Sequence, residues 1–177
     1  MLLGIVSDTH ANLAAIQEVG RCFQAAAVDQ VLHLGDDYLD TLFFEAVQLK
    51  VLGVPGLYCP EYRDPQIPNR RIEILLGVKI LMTHTREASR FDQPGDLDPA
   101  KAAAEVDIVL FGHTHVPQIT EKKGVLWVNP GHLKAHDGRG YPHSYALMHL
   151  APPRVDVKIV ALAGGKTLLE GVFTLQR

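Results

Sequence analysis

The stretch Leu2-Leu3-Gly4-Ile5-Val6-Ser7-Asp8-Thr9-His10 is a short apolar run that breaks into an acid and a histidine. A run that is apolar at every position, rather than at alternate ones, predicts a strand covered on both faces. A helix is expected next, capped by Asn12, with Leu13, Ile16, Gly20 and Phe23 on one face. Val31–Leu34 repeats the strand pattern and stops at Gly35-Asp36-Asp37. Asp40 is then placed to cap a second helix carrying Leu42, Ala46 and Leu49, and a third strand is expected near Val51–Val54.

Beyond this unit the punctuation changes. Prolines at 55, 60, 65 and 68 mark a loop up to Arg70. Ile72–Leu76 and Lys79–Met82 flank Gly77-Val78 as a hairpin, and the second run ends at Thr83-His84. Asp98-Pro99 is an N-cap and first-position pair for a short helix through Glu105. Ile108–Phe111 is a further buried strand, ending at Gly112-His113-Thr114-His115. Short strands are expected at Gln118–Glu121, Val125–Val128, Ser144–His149, Val155–Leu162 and Leu169–Leu175. A βαβαβ start favours a parallel sheet and the later part is β-rich. The expectation is an α/β fold, two packed β-sheets flanked by helices, with residues 1–177 forming a single domain.

The chain has 177 residues, 47% of them hydrophobic and 21% charged, which excludes disorder as the main reading. The formal net charge is −3, and no basic cluster larger than Arg70-Arg71 occurs; that pair reads as part of a solvated loop. Phosphate neutralisation dominates nucleic-acid affinity, so sequence-specific nucleic-acid binding is not expected. Two cysteines, Cys22 and Cys59, make no disulfide framework. Met1–Val6 is too short for a signal sequence, and no run approaches the ~20 apolar residues of a membrane span. A cytoplasmic protein without membrane contact is expected.

Four apolar strands thus end in ligand-type residues: Asp8 and His10, Asp36, His84, and His113 with His115. In open α/β sheets the carboxyl ends of strands form the ligand crevice. Taken singly, each Asp could cap a helix and each His could satisfy nearby backbone. Four strand ends with the same chemistry make that accumulation of accidents the weaker explanation. Carboxylate and imidazole suit Mn²⁺, Fe or Zn²⁺, and the lack of clustered Cys argues against structural zinc or iron–sulfur. Two such ions can hold a hydroxide nucleophile and clamp an in-line phosphoryl displacement.

Asp8-Thr9-His10, Gly35-Asp36, Thr83-His84 and Gly112-His113-Thr114-His115, in that order, resemble the motif set of the calcineurin-like metallophosphoesterases. Asn129-Pro130-Gly131 followed by Ser144-Tyr145-Ala146 resembles the small YfcE-type phosphodiesterase branch. The resemblance implies an α/β/β/α sandwich and a metal-dependent phosphoesterase acting on a small phosphate ester, a phosphodiester first. It also implies two divalent metal ions. Asp8, His10 and His115 would hold the first, Asp36 would bridge the pair, and His84 and His113 would bind the second.

The pattern departs from the family at two places. Where the family has Gly-Asn after its third strand, this chain has Gly56-Leu57, and leucine offers no lone pair. The second site would then be weak, unless Glu61, Asp64 or His132 replaces the missing ligand. The family's His-Gly-His is altered to His84-Thr85-Arg86. The missing ligand keeps a competing reading open, a binding scaffold like the retromer subunit of the same fold; retention of His113 and His115 counts against it. His33 reads as a core or supporting group, Asp37 as either a turn residue or an orienting one, and His136, His143 and His149 have no motif support. Gly164-Gly165-Lys166-Thr167 looks like the end of a P-loop, but Val160 stands where that motif needs glycine.

Overall fold

A computed structural model describes residues 1–176. In chain order its strands are β1 (Leu2–Val6), β2 (Gln30–His33), β3 (Val51–Gly53), β4 (Arg70–Leu75), β5 (Val78–Thr83), β6 (Ile108–Leu110), β7 (Gln118–Lys122), β8 (Val125–Asn129), β9 (Ser144–Ala151), β10 (Arg154–Ala161) and β11 (Thr167–Thr174). The helices are α1 (Leu13–Ala25), α2 (Thr41–Ala46) and α3 (Pro99–Ala103). The strands form two mixed sheets, ordered β11-β10-β9-β1-β2-β3 and β4-β5-β6-β8-β7. Within them β1, β2 and β3 run parallel, as do β5, β6 and β8.

Alternating side chains of both sheets make the layers. Leu3, Ile5, Leu32, Met148 and Ile159 of the first sheet meet Ile80, Met82, Ile108, Leu110 and Val128 of the second in one buried core. The opposite face of the first sheet buries Val6 and Val31 against Ile16, Val19 and Phe23 of α1 and Phe44 of α2. The outer face of the second buries Leu81, Val109 and Phe111 against Ala102 and Ala103 of α3. The layering is therefore α/β/β/α, as the motif pattern implied. Because strands such as β1 are covered on both sides, their sequence is apolar throughout rather than alternating. Gly4 lets α1 lie close: a Cβ there would stand 2.8 Å from the Phe23 ring.

Some local expectations are corrected. Leu13 and Leu42 are 45% and 53% exposed; the buried faces are Ala15, Ile16, Val19, Gly20 and Phe23 on α1, and Thr41 and Phe44 on α2. Asn12 does cap α1, accepting from the Ala15 N–H. Asp40 makes no cap bond to α2; its carboxylate instead accepts from the Ala11 N–H at 3.0 Å. Arg70 is not solvated: it opens β4 with its side chain 1% exposed, bound to Asp92. Among the described residues no helix is long and apolar enough to cross a membrane.

Candidate metal centre

The ends of β1 and β2 in one sheet, and of β5 and β6 in the other, open on the same crevice. The backbone ties them together, with Asp8 N–H donating to Gly35 O at 2.6 Å and Gly112 N–H to His84 O at 3.0 Å. Asp8 also reaches across the two sheets: its carboxylate accepts from the His113 N–H, at 3.1 and 3.0 Å to its two oxygens. Four of the candidate residues hold backbone angles that L-residues rarely adopt, with φ of 52° at Asp8, 48° at His10, 65° at His113 and 60° at His115. Such left-handed turns aim consecutive side chains inward from one strand end. They are held by the surrounding bonds rather than by local preference.

All six residues singled out in the sequence converge. Nε2 of His10 lies 2.9 Å from Oδ2 of Asp36, and Nε2 of His84 lies 3.2 Å from Oδ1 of the same carboxylate. Nε2 of His115 is 3.2 Å from Asp8 Oδ1 and 3.4 Å from His10 Nε2. Asp8, His10, Asp36 and His115 each offer an atom within 4.8 Å of the other three. His113 closes the far side, its Nδ1 3.2 Å from His84 Nε2. Asp36 thus stands between two imidazole groups, one oxygen toward each.

The imidazole tautomers follow from their other bonds. Nδ1–H of His84 donates to Leu34 O at 2.8 Å, which leaves Nε2 as a lone pair facing inward. Nδ1–H of His115 donates to Asp137 Oδ1 at 2.7 Å, with the same result. Arg139 Nη1 stands 3.1 Å from that Nδ1, where two donors meet; the carboxylate of Asp137 bonds both. His132 stacks on His115 with ring centroids 5.1 Å apart. Below the crevice, Gly35 N–H donates to His33 Nδ1, so His33 Nε2–H faces Thr9 Oγ1 at 3.1 Å, and Thr9 in turn bonds Asp40.

Electrostatics match this arrangement. Burial acts to raise the pKa of Asp36, but the His10 hydrogen bond and the nearby His84 and His113 prevail and lower it to about 2. Burial, then the neighbouring His84, lowers His113. Burial acts the same way on His115, yet Asp8 and Asp137 outweigh it and raise that group. Burial also opposes ionisation of Asp137, while the Arg139 N–H, His115 and the Arg139 guanidinium hold it well below the usual carboxylate range. With two carboxylates and four imidazoles turned inward, the donor set suits a divalent cation of the Mn, Fe or Zn kind.

The sequence matches a known family: residues 1–152 match the model of the calcineurin-like phosphoesterase superfamily domain. The chain belongs to this superfamily. Among its members, phosphodiesterase MJ0936 of Methanocaldococcus jannaschii is 27% identical over 146 residues, covering 74% of this chain and 83% of that one. The fold is shared with YfcE, a phosphoesterase from E. coli, at a TM-score of 0.72 and 21% identity, covering 99% of this chain and 100% of that one. It is shared equally with a Vps29 single mutant from Entamoeba histolytica, at a TM-score of 0.75 and 20% identity, covering 98% and 100%.

The segment at Leu57, where the family resemblance implies an asparagine, lies close to this crevice. Gly56 packs on Asp36 so closely that a Cβ would fall 2.1 Å from Oδ1, and Leu57 lines a cleft beside His113. Asp64 borders a separate loop cavity with Asn69 and Arg70, and His132 lies on the His115 side. His84 Nε2 thus lies 3.2 Å from both Asp36 Oδ1 and His113 Nδ1. Sequence reasoning passed over Asp137, and also Asn129, whose Nδ2 donates at 3.0 Å to both Gly112 O and Thr114 Oγ1 and so braces the His113 turn. Asn129 stood in a quoted motif and could have been found there; Asp137 lies in irregular chain with no pattern to mark it.

Proposed function

We propose that the protein is a metal-dependent phosphoesterase, acting on phosphodiesters, with two divalent cations of which Mn²⁺ is the first choice. Asp8, His10, Asp36 and His115 would hold one ion, and Asp36, His84 and His113 the other. The observation that carries this reading is the placement of Asp36, with Oδ2 at 2.9 Å from His10 and Oδ1 at 3.2 Å from His84. A cation bound there would supply a Lewis acid and a water of lowered pKa. The chain's own part is orientation: Leu34 O and Asp137 fix the tautomers of His84 and His115, and Asp8 locks the His113 turn. The name of the related phosphodiesterase supports the diester as substrate class.

The test is elemental analysis of protein purified without chelator, paired with hydrolysis of a phosphodiester and a phosphomonoester panel. Metal-dependent hydrolysis that chelator abolishes is expected. Hydrolysis that survives chelator, or metal-loaded protein that turns over nothing, would overturn the reading. One observation favours a second reading, a catalytically weak scaffold for protein contacts: Leu57 supplies no ligand beside His113. In that case Leu57→Asn would restore metal binding at the second group and the parent would bind a single ion per chain.

A further inference from the structure

The two sheets end in the strands β11, β3, β4 and β7, and three of these edges are poor templates for another strand. β3 is three residues long and ends in Gly53. β7 finishes in Glu121 and Lys122 and runs into Lys123. β11 holds Gly171, and its pairing with β10 shifts register at Ile159/Val160. Shortness, charge and irregularity all discourage edge-to-edge pairing. β4 differs. Its six residues pair with β5 without a break and include no proline, glycine or lysine. Ile72 is 37% exposed and Ile74 64%. Ile72 lies beside Leu81 on the outer face, where α3 packs on Leu81 and leaves Ile72 at the bare rim.

The hairpin fixes which backbone groups point outward. Leu76 and Gly77 have φ of 50° and 81°, the conformation of a two-residue type I′ turn. Leu75 and Val78, which flank it, are then a hydrogen-bonded pair, and such pairs alternate along the ladder. Arg71 and Glu73 therefore spend their N–H and C=O on β5. Arg70, Ile72 and Ile74 turn theirs to the open edge.

The side chains select what can pair there. Arg71 and Glu73 share the other face of β4, partly buried, with Arg71 Nε donating to the Glu73 carboxylate. Lay a second β4 antiparallel, with Ile72 opposite the partner's Ile72. Arg71 then stands opposite the partner's Glu73, and Glu73 opposite the partner's Arg71. The adjacent registers that use the same backbone groups oppose Arg71 to the partner's Arg71, or Glu73 to the partner's Glu73. Opposite charges facing across a strand pair stabilise it, and like charges weaken it. One register is thus self-complementary, as a two-fold contact requires. We propose that β4 is a homodimer contact, at which two copies of this chain join their five-stranded sheets edge to edge about Ile72.

The test is sedimentation of the purified protein over a concentration series. A dimer is expected at about 100 µM, since a single strand pair is a small interface. Arg71→Glu and Glu73→Arg should each weaken self-association by about tenfold or more, because each opposes like charges twice. Mixed in equal parts, the two variants regain opposite charges at both positions and should form a heterodimer. Ile72→Lys, which leaves the ladder to β5 in place, should be monomeric. A monomeric parent, a dimer that these variants leave unchanged, or charge variants that stay apart when mixed would each overturn the inference. If a charge variant does not fold, Ile72→Lys decides alone: loss of the dimer supports the contact and its retention refutes it.

Discussion

Asp36 carries its two oxygens to different histidines, so a change there acts on both halves of the crevice at once. Asp36→Asn is expected to lower turnover at saturating metal by more than about tenfold, and further than loss of any one histidine. Turnover within tenfold of the parent would remove its shared role. Asp137 acts one bond further out. Its carboxylate fixes the His115 tautomer, so Asp137→Asn should weaken metal affinity by about 10–100-fold, read by calorimetry independently of turnover. His33 bears on stability instead. Burial lowers its pKa from 6.5 to about 4, and its Nδ1 is already occupied as an acceptor. Above pH 6.5 both folded and unfolded forms are neutral there. As the pH falls toward 4, the unfolded imidazole takes a proton that the folded one refuses, and stability drops by up to ~3 kcal/mol. His33→Gln should flatten this part of the denaturant-midpoint profile; an unchanged slope would assign the loss to other groups.

At the scale of elements, α1 is tied to the crevice by Asn12, which accepts from Ala15 N–H and donates from Nδ2 to Leu133 O. Asn12→Ala should cost ~1 kcal/mol or somewhat more in denaturant unfolding, since a cap and a tertiary bond are lost together. A loss near zero would mean that neither bond persists in solution. Strands were legible because burial on both faces leaves unbroken apolar runs, and the six ligand candidates because they follow those runs directly. Helix faces were less so: Ile16, Gly20 and Phe23 on α1 are buried as their spacing predicts, but Leu13 at its start is exposed, and on α2 Leu42 is exposed while Thr41 and Phe44 are buried. Asp40 looked like a cap because a helix follows it, whereas the geometry turns its carboxylate toward the β1 loop. Such choices depend on what lies across space, and periodicity along the chain carries no record of it. Asp137 was hidden for the same reason.

At the scale of the molecule, the crevice straddles two sheets, so a bound cation would fasten one layer to the other. Metal at a hundred times its Kd should raise unfolding free energy by ~2.7 kcal/mol, with a matching fall on adding chelator. A melting temperature indifferent to metal would place the ion elsewhere. Leu57→Asn should tighten the weaker group, which titration calorimetry on both proteins would show. The strand order has a further consequence, for the growing chain. All six ligand candidates have been synthesised by residue 115, but β1, which positions Asp8 and His10, lies between β2 and β9. A ribosome-bound chain that stops at β8 thus holds every ligand while its central strand has one exposed, unpaired edge. Long-range pairing of this kind is slow to form and open to mispairing while it waits. Nascent chains of stepped length should therefore resist protease only once β9 has cleared the exit tunnel, well after the last ligand has emerged.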